Sequence, residues 1–164
     1  MDNAQLINQD SGDYEWYTPP EILQKVRELY GVIQLDPASS EQANKIVKAV
    51  MFYTENGLEQ NWYGDVWMNH PFSRENNPLW INKAVSEYES GRVRQLTCIT
   101  YAATSEKWFK PLVVFPQCYL CPRTNYYLPD GTKKKGVTKG SVITYMGQNK
   151  DKFRKLFKGY GWFK

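Results

Sequence analysis

The stretch DVWMNHPFSR, Asp65 to Arg74, restricts the fold more than any other part of the chain. Asp65 to Asn69 read as a short buried strand, and it runs directly into Asn69-His70-Pro71-Phe72. Pro71 cannot donate to a strand ladder, so the strand must end there. A second apolar run, VIQLD, stops in the same way at Asp36-Pro37. Two buried strands, each halted by a polar residue with a proline close behind, point to a sheet whose strand ends form a rim.

The segments around these strands have helical spacing. In TPPEILQKVRELYG, Pro19 or Pro20 suits a first turn, Ile22, Val26 and Leu29 share a face, and Gly31 ends the pattern. Ser39 with Gln42 forms a capping box for a helix over residues 40–50. MFYT reads as a strand, Asn56-Gly57 as a turn, and Pro78 as an early residue of a helix that Gly91 closes. VRQLTCITYA follows as a buried strand and SEKWFKPL as a short helix with Ser105 at its start. The remainder, through GSVITYMG, reads as strands about a hairpin turn at Pro129-Asp130-Gly131. Strands alternating with helices, then consecutive strands, predict an α/β sheet, mainly parallel with antiparallel edge strands. Ligands of such sheets collect beyond the carboxyl ends of the strands, where Asp36 and Asn69 both stand.

The 164 residues are most economically one domain over 14–164, after a polar segment, 1–13, expected to be disordered. Aromatic residues make up 15%, which serves a core first and base stacking second. The net charge is +4, but Lys133, Lys134, Lys135, Lys139, Lys150, Lys152, Arg154, Lys155, Lys158 and Lys164 crowd the last third. Such a cluster suits phosphate contacts, and a merely solvated surface explains it equally well. Three cysteines in a chain without a leader pattern predict free thiols and a cytoplasmic setting. Cys118-x-x-Cys121 lacks the further ligands that zinc requires, so no metal is expected. No apolar run approaches the roughly 18 residues of a membrane span. Oligomeric state, monomer or weak dimer, stays open.

At a strand-end rim the Asn69 side-chain oxygen is one hydrogen-bond acceptor, and the carbonyl of His70 or Pro71 is a second. Two acceptors held by a proline-stiffened turn suit an exocyclic NH₂ group. Engaging both hydrogens draws the nitrogen towards sp³ character and frees its lone pair for attack, while Phe72 can stack on the ring that bears it. A plain turn after a strand also accounts for Asn69 and Pro71.

Asn69-His70-Pro71-Phe72 resembles the Asp/Asn/Ser-Pro-Pro-Tyr/Phe motif of S-adenosylmethionine-dependent amino-methyltransferases. With EWYTPPEIL, QLDPASS, ENGLEQNW, TYAATSEKWF, CPRTNYYL and GSVITYMG in this order, residues 14–147 resemble the phage-type DNA N6-adenine methyltransferase family. The resemblance implies a single-domain Rossmann-like methyltransferase fold with helices on both faces. It further implies an enzyme that methylates N6 of an adenine flipped from double-stranded DNA, in the host cytoplasm, protecting phage DNA from restriction.

By the same resemblance Asn69, His70, Pro71 and Phe72 are the catalytic residues. Tyr17, Thr18, Pro19, Asp36, Pro37, Ser39, Asn56 and Asn69 hold the cofactor, S-adenosylmethionine. Asp36 receives its ammonium, and Asn56 stands where the family often has Asp, near its adenine. Simpler roles exist for several of these: Thr18 as a helix cap, Asp36-Pro37 as a turn opener, Asn56 as half of an Asn-Gly turn. Ser73, Arg74, Arg123, Lys133, Lys134, Lys135 and Lys139 are assigned to DNA. With no room for a separate recognition domain, sequence preference is expected from the loops Ser73–Pro78 and Tyr126–Lys139.

There are two departures from the motif. Ala38-Ser39-Ser40 replaces a glycine-rich loop, and His70 replaces the first proline of Pro-Pro, which removes stiffness and requires a neutral imidazole. A degenerate relative that only binds DNA or cofactor remains an alternative, as do RNA adenine, cytosine N4 and glutamine amide as acceptors.

Overall fold

Helix and strand boundaries follow the local signals closely. The computed structural model describes residues 16–134 and 137–164, so the expectation for 1–13 lies outside the described residues. Helix α1, Pro20–Tyr30, starts on Pro19 and stops at Gly31, which adopts a φ of 87°. Strand β1, Leu35–Asp36, leads to α2, Glu41–Val47. The cap of α2 is Ser40, whose hydroxyl accepts from the Ala43 amide at 3.0 Å, and not Ser39 as the Ser-x-x-Gln spacing predicts. The two serines are adjacent, and Ser40 has the extended backbone, φ −148° and ψ 167°, from which its oxygen meets the open turn. β2, Met51–Phe52, and β3, Gly64–Met68, precede α3, Asn76–Glu89. β4 is Val93–Tyr101, followed by a 3₁₀ helix, Lys107–Leu112, which starts after Glu106 without a cap from Ser105. β5, Gln117–Leu120, β6, Ser141–Met146, α4, Lys150–Phe157, and β7, Gly161–Phe163, complete the order.

The seven strands form one sheet in the order β2-β1-β3-β4-β6-β5-β7. The pairs from β2 through β4 are parallel, and those from β4 through β7 are antiparallel. Antiparallel pairing therefore covers half the sheet and begins at its middle, more than the edge strands expected from the sequence. The cause is β6, which follows β5 in the chain yet inserts between it and β4, so both its neighbours run opposite to it.

Strand alternation makes both faces apolar, and both are covered. Trp67, Ile99 and Ile143 face a cluster with Ile22, Leu23 and Val26 of α1 and Phe153 and Phe157 of α4. Val66, Met68, Leu96 and Cys98 face Ile81 and Ala84 of α3 and Phe109 and Leu112 of the 3₁₀ helix. Cys98 and Cys118 are buried and Cys121 is exposed, all three as free thiols. Among the described residues no helix is long and apolar enough to cross a membrane.

The topology itself creates a crevice. From β1 the chain passes through α2 to β2 on one side, then returns to place β3 on the other. Connections thus diverge at β1 and β3, whose carboxyl ends carry Asp36 and Asn69, the position where open α/β sheets bind ligands.

Candidate active site

A cavity of about 430 Å³ lies at that divergence, within the ~300–1,000 Å³ range of small-molecule sites. Its walls bring together Tyr17, Thr18, Asp36, Pro37, Ser39 and Asn56 with the whole of Asn69–Phe72. Of the residues assigned to the cofactor, only Pro19 stays out of the wall; it occupies the N-cap of α1 and is buried.

The orientation of the Asn69 amide follows from its partners. Nδ2 donates to the Trp16 carbonyl at 2.9 Å and to Thr18 Oγ1 at 3.0 Å. A carbonyl accepts only, so the atom facing Trp16 must be the amide nitrogen, which leaves Oδ1 without a donor among the described residues. Thr18 is not the cap of α1, which receives no side-chain hydrogen bond. Its buried hydroxyl orients Asn69 instead. The Trp16–Thr18 segment is itself pinned, because Tyr17 and Tyr127 exchange main-chain hydrogen bonds of 2.8 and 2.9 Å.

Asp36 is buried at the cavity wall and has no ion pair among the described residues. Burial raises its carboxyl to a pKa of about 7, against the partial offset of the Ala38 amide and the Ser39 side chain. The Ala38 amide donates to Asp36 Oδ1 at 3.1 Å, so Asp36 also serves as the turn opener that Asp-Pro predicts. Asn56 combines its two readings in the same manner: it lines the cavity and takes the left-handed φ of 56° that an Asn-Gly turn favours. In the sequence Gly57 reads only as the second half of that turn, and the fold gives it a further reason. A Cβ there would collide with the Pro37 carbonyl and the Trp80 ring, so the 56–57 turn closes on the Asp36-Pro37 turn only through glycine.

The His70 ring is buried, and its Nε2 lies 2.8 Å from Asn77 Oδ1. Burial lowers its pKa to about 4, more than the Asn77 bond restores, so the imidazole is neutral at physiological pH. Phe72 packs against the His70 ring at 5.0 Å between centroids, the rings inclined by 71°, and against Tyr101 at 4.8 Å. Phe72 and Ser73 also border a second cavity of about 440 Å³, lined further by Arg74, Tyr101, Trp108 and Lys139.

The basic residues divide by position. Lys133, Lys134 and Lys139 sit over the rings of Tyr127, Trp16 and Tyr101, at 5.8, 5.2 and 5.5 Å from the centroids. Trp16 and Tyr101 belong to the two cavity walls, so two of these lysines mark the cavity rims. Lys135 lies outside the described residues, and Arg123 is exposed and borders neither cavity. Lys150 and Lys152 belong to the opposite end of the sheet. β6 runs from Ser141 beside Tyr101 to Met146 beside Leu96, and α4 begins just beyond Met146.

Residues 6–155 match the family model described as DNA N-6-adenine-methyltransferase (Dam). A DNA N-6-adenine-methyltransferase of Escherichia phage T1 is 33% identical over 98 residues, which is 57% of this chain and 38% of that relative. The chain thus spans well under half the length of the relative it matches. A family match over nearly all of its length, with the strand-end residues gathered at one crevice, establishes that the chain belongs to the DNA N-6-adenine-methyltransferase (Dam) family.

Proposed function

We propose that the chain transfers a methyl group from S-adenosylmethionine to N6 of an adenine flipped out of double-stranded DNA, on a Rossmann-like methyltransferase fold. The observation that carries this reading is the fixed Asn69 amide, whose Oδ1 has no donor among the described residues and stands at the end of β3 beside the main chain of His70-Pro71. The residues present also fit the cofactor. A buried carboxyl with no ion pair among the described residues suits the ammonium of a methionine group, and Asn56 with the close approach of Gly57 frames the rest of the cavity.

When bound, S-adenosylmethionine supplies an electrophilic methyl group on a sulfonium. The chain's own residues act on the acceptor. Asn69 Oδ1 and the carbonyl of His70 or Pro71 each accept one hydrogen of the adenine amine, which concentrates the nitrogen lone pair on the side facing the cofactor. Phe72, standing between the two cavities, offers a face for the extruded base. Catalysis is then positioning and electrostatics, with no strong base. The neutral, buried His70 adds no charge against the amine as it becomes positive. Lys134 and Lys139, at the cavity rims, are placed for phosphates.

Incubation with labelled S-adenosylmethionine and unmethylated duplex DNA tests the reading, with label expected in N6-methyladenine. Folded chain that leaves no label there at any salt concentration refutes it. Label found in RNA or in N4-methylcytosine would reassign the acceptor.

A further inference from the structure

His70 is the motif's irregular residue, and its surroundings show what stands in for the missing proline. Three contacts close the segment from His70 to Asn77 into one unit. His70 Nε2 meets Asn77 Oδ1 at 2.8 Å, the Asn76 amide donates to Ser73 Oγ at 2.9 Å, and the Asn77 amide donates to the Ser73 carbonyl at 2.9 Å. Asn77 lies in the first turn of α3, which Ile81 and Ala84 anchor in the core. The imidazole also packs against Phe72, the two rings steeply inclined. A rigid helix is thus connected through one side-chain hydrogen bond to the turn between Asn69 and Phe72.

We infer that His70 is a positioning residue, tying the Asn69–Phe72 turn to α3 through Asn77 and so supplying by hydrogen bonding the stiffness that proline would supply covalently. This rests on the reading of that turn as the grip on the acceptor amine. A proton-relay role does not fit, because the ring is 2% exposed and its Nδ1 is buried without a partner among the described residues. With Asn77 Oδ1 facing the ring, the bond needs the hydrogen on Nε2, the tautomer that leaves Nδ1 bare.

His70 is the chain's single histidine, so its imidazole signals need no assignment. Long-range ¹H–¹⁵N spectra of the substrate-free chain should show a neutral Nε2–H tautomer from about pH 5 to about pH 8. Asn77→Asp keeps the acceptor and adds charge, so the histidine should remain Nε2–H and its titration should move upward. In kinetics, Asn77→Ala should lower kcat by about tenfold while the KM for cofactor changes by less than about twofold. The decisive comparison is His70→Pro with and without Asn77→Ala. Proline needs no tether, so the second substitution should cost little in that background.

An Nδ1–H or freely exchanging wild-type tautomer overturns the inference. Equal losses from Asn77→Ala in both backgrounds do so as well, since they would show Asn77 acting through the fold alone. If Asn77→Ala does not fold, Asn77→Asp and the tautomer carry the test. The spectra require no turnover, so a chain that transfers no methyl group refutes the proposed reaction and leaves the tether to be judged by its tautomer.

Discussion

Thr18 Oγ1 accepts a hydrogen bond from Asn69 Nδ2 at 3.0 Å, so a residue just ahead of the first helix joins the Trp16 carbonyl in holding a strand-end amide 51 positions later. Thr18→Val keeps shape and removes the acceptor, leaving Nδ2 held by the Trp16 carbonyl alone. Stability should fall by about 1 kcal/mol, the usual net worth of one such bond. Methyl transfer should fall further, because an amide held at one point alone rocks about that bond and aligns Oδ1 with the amine less often. Thr18→Ser should recover both. Thermal melts and single-turnover rates check the two effects separately.

Asn69→Ala removes one of the two acceptors without touching Asp36. It should abolish transfer and leave cofactor affinity largely intact, measured by calorimetry. Wild-type turnover in this variant would remove Asn69 from the mechanism.

Asp36 carries a pH dependence whose sign can be worked out. Its carboxyl has a pKa of about 7 in the folded chain against 3.8 as the ordinary value. Between these two pH values the folded state holds a proton that the unfolded state has released, so stability falls as pH rises through that window and levels off above about 7. Asp36→Asn should flatten this slope in denaturant titrations at graded pH. A bound ammonium would favour the carboxylate, so cofactor affinity should rise up to about pH 7 and binding below it should release a proton. Calorimetry in buffers of differing ionisation enthalpy reads that proton.

Gly57→Ala tests how tightly the 56–57 turn closes on Pro37. The added Cβ meets the Pro37 carbonyl and the Trp80 ring, and neither is a flexible chain end. Destabilisation of about 1–3 kcal/mol is expected, as for other overpacked sites. A raised KM for cofactor should accompany it, since both displaced groups border the cavity.

The residues legible in the sequence were those whose signal is local. Asp36 and Asn69 stand out because an apolar run stops at each with a proline close behind, and the helix ends at Gly31 and Gly91 need only their own backbone. What escaped is non-local or ambiguous between neighbours. Ser39 and Ser40 offer the same oxygen one residue apart, and nothing in the sequence selects the second, whose hydroxyl meets the Ala43 amide. The bond from Thr18 to Asn69 joins segments unrelated in sequence, and His70 gave no sign that Asn77 would meet it. α4 and β7 were not foreseen because eight mostly charged residues carry only Phe153, Leu156 and Phe157 as an apolar face. The place of β6 between β4 and β5 depends on pairing across the whole sheet. The basic last third looked like a single cluster, but the fold sends Lys133, Lys134 and Lys139 to one end of the sheet and Lys150 and Lys152 to the other.

That division yields a discriminating test of DNA contact. If Lys134 and Lys139 neutralise phosphates, each replacement by alanine should weaken binding with little regard to sequence and flatten the slope of log affinity against log salt by about 0.9. Lys150→Ala with Lys152→Ala removes as much charge from the far end of the sheet and should leave the slope unchanged. Lys134 and Lys139 also sit over Trp16 and Tyr101, so their loss sacrifices about 0.5–1 kcal/mol of cation–π attraction and loosens the cavity walls. Arginine in their place keeps charge and ring contact, and should restore the slope. Equal flattening by both pairs would mean that overall charge, and not the cavity rim, attracts the duplex.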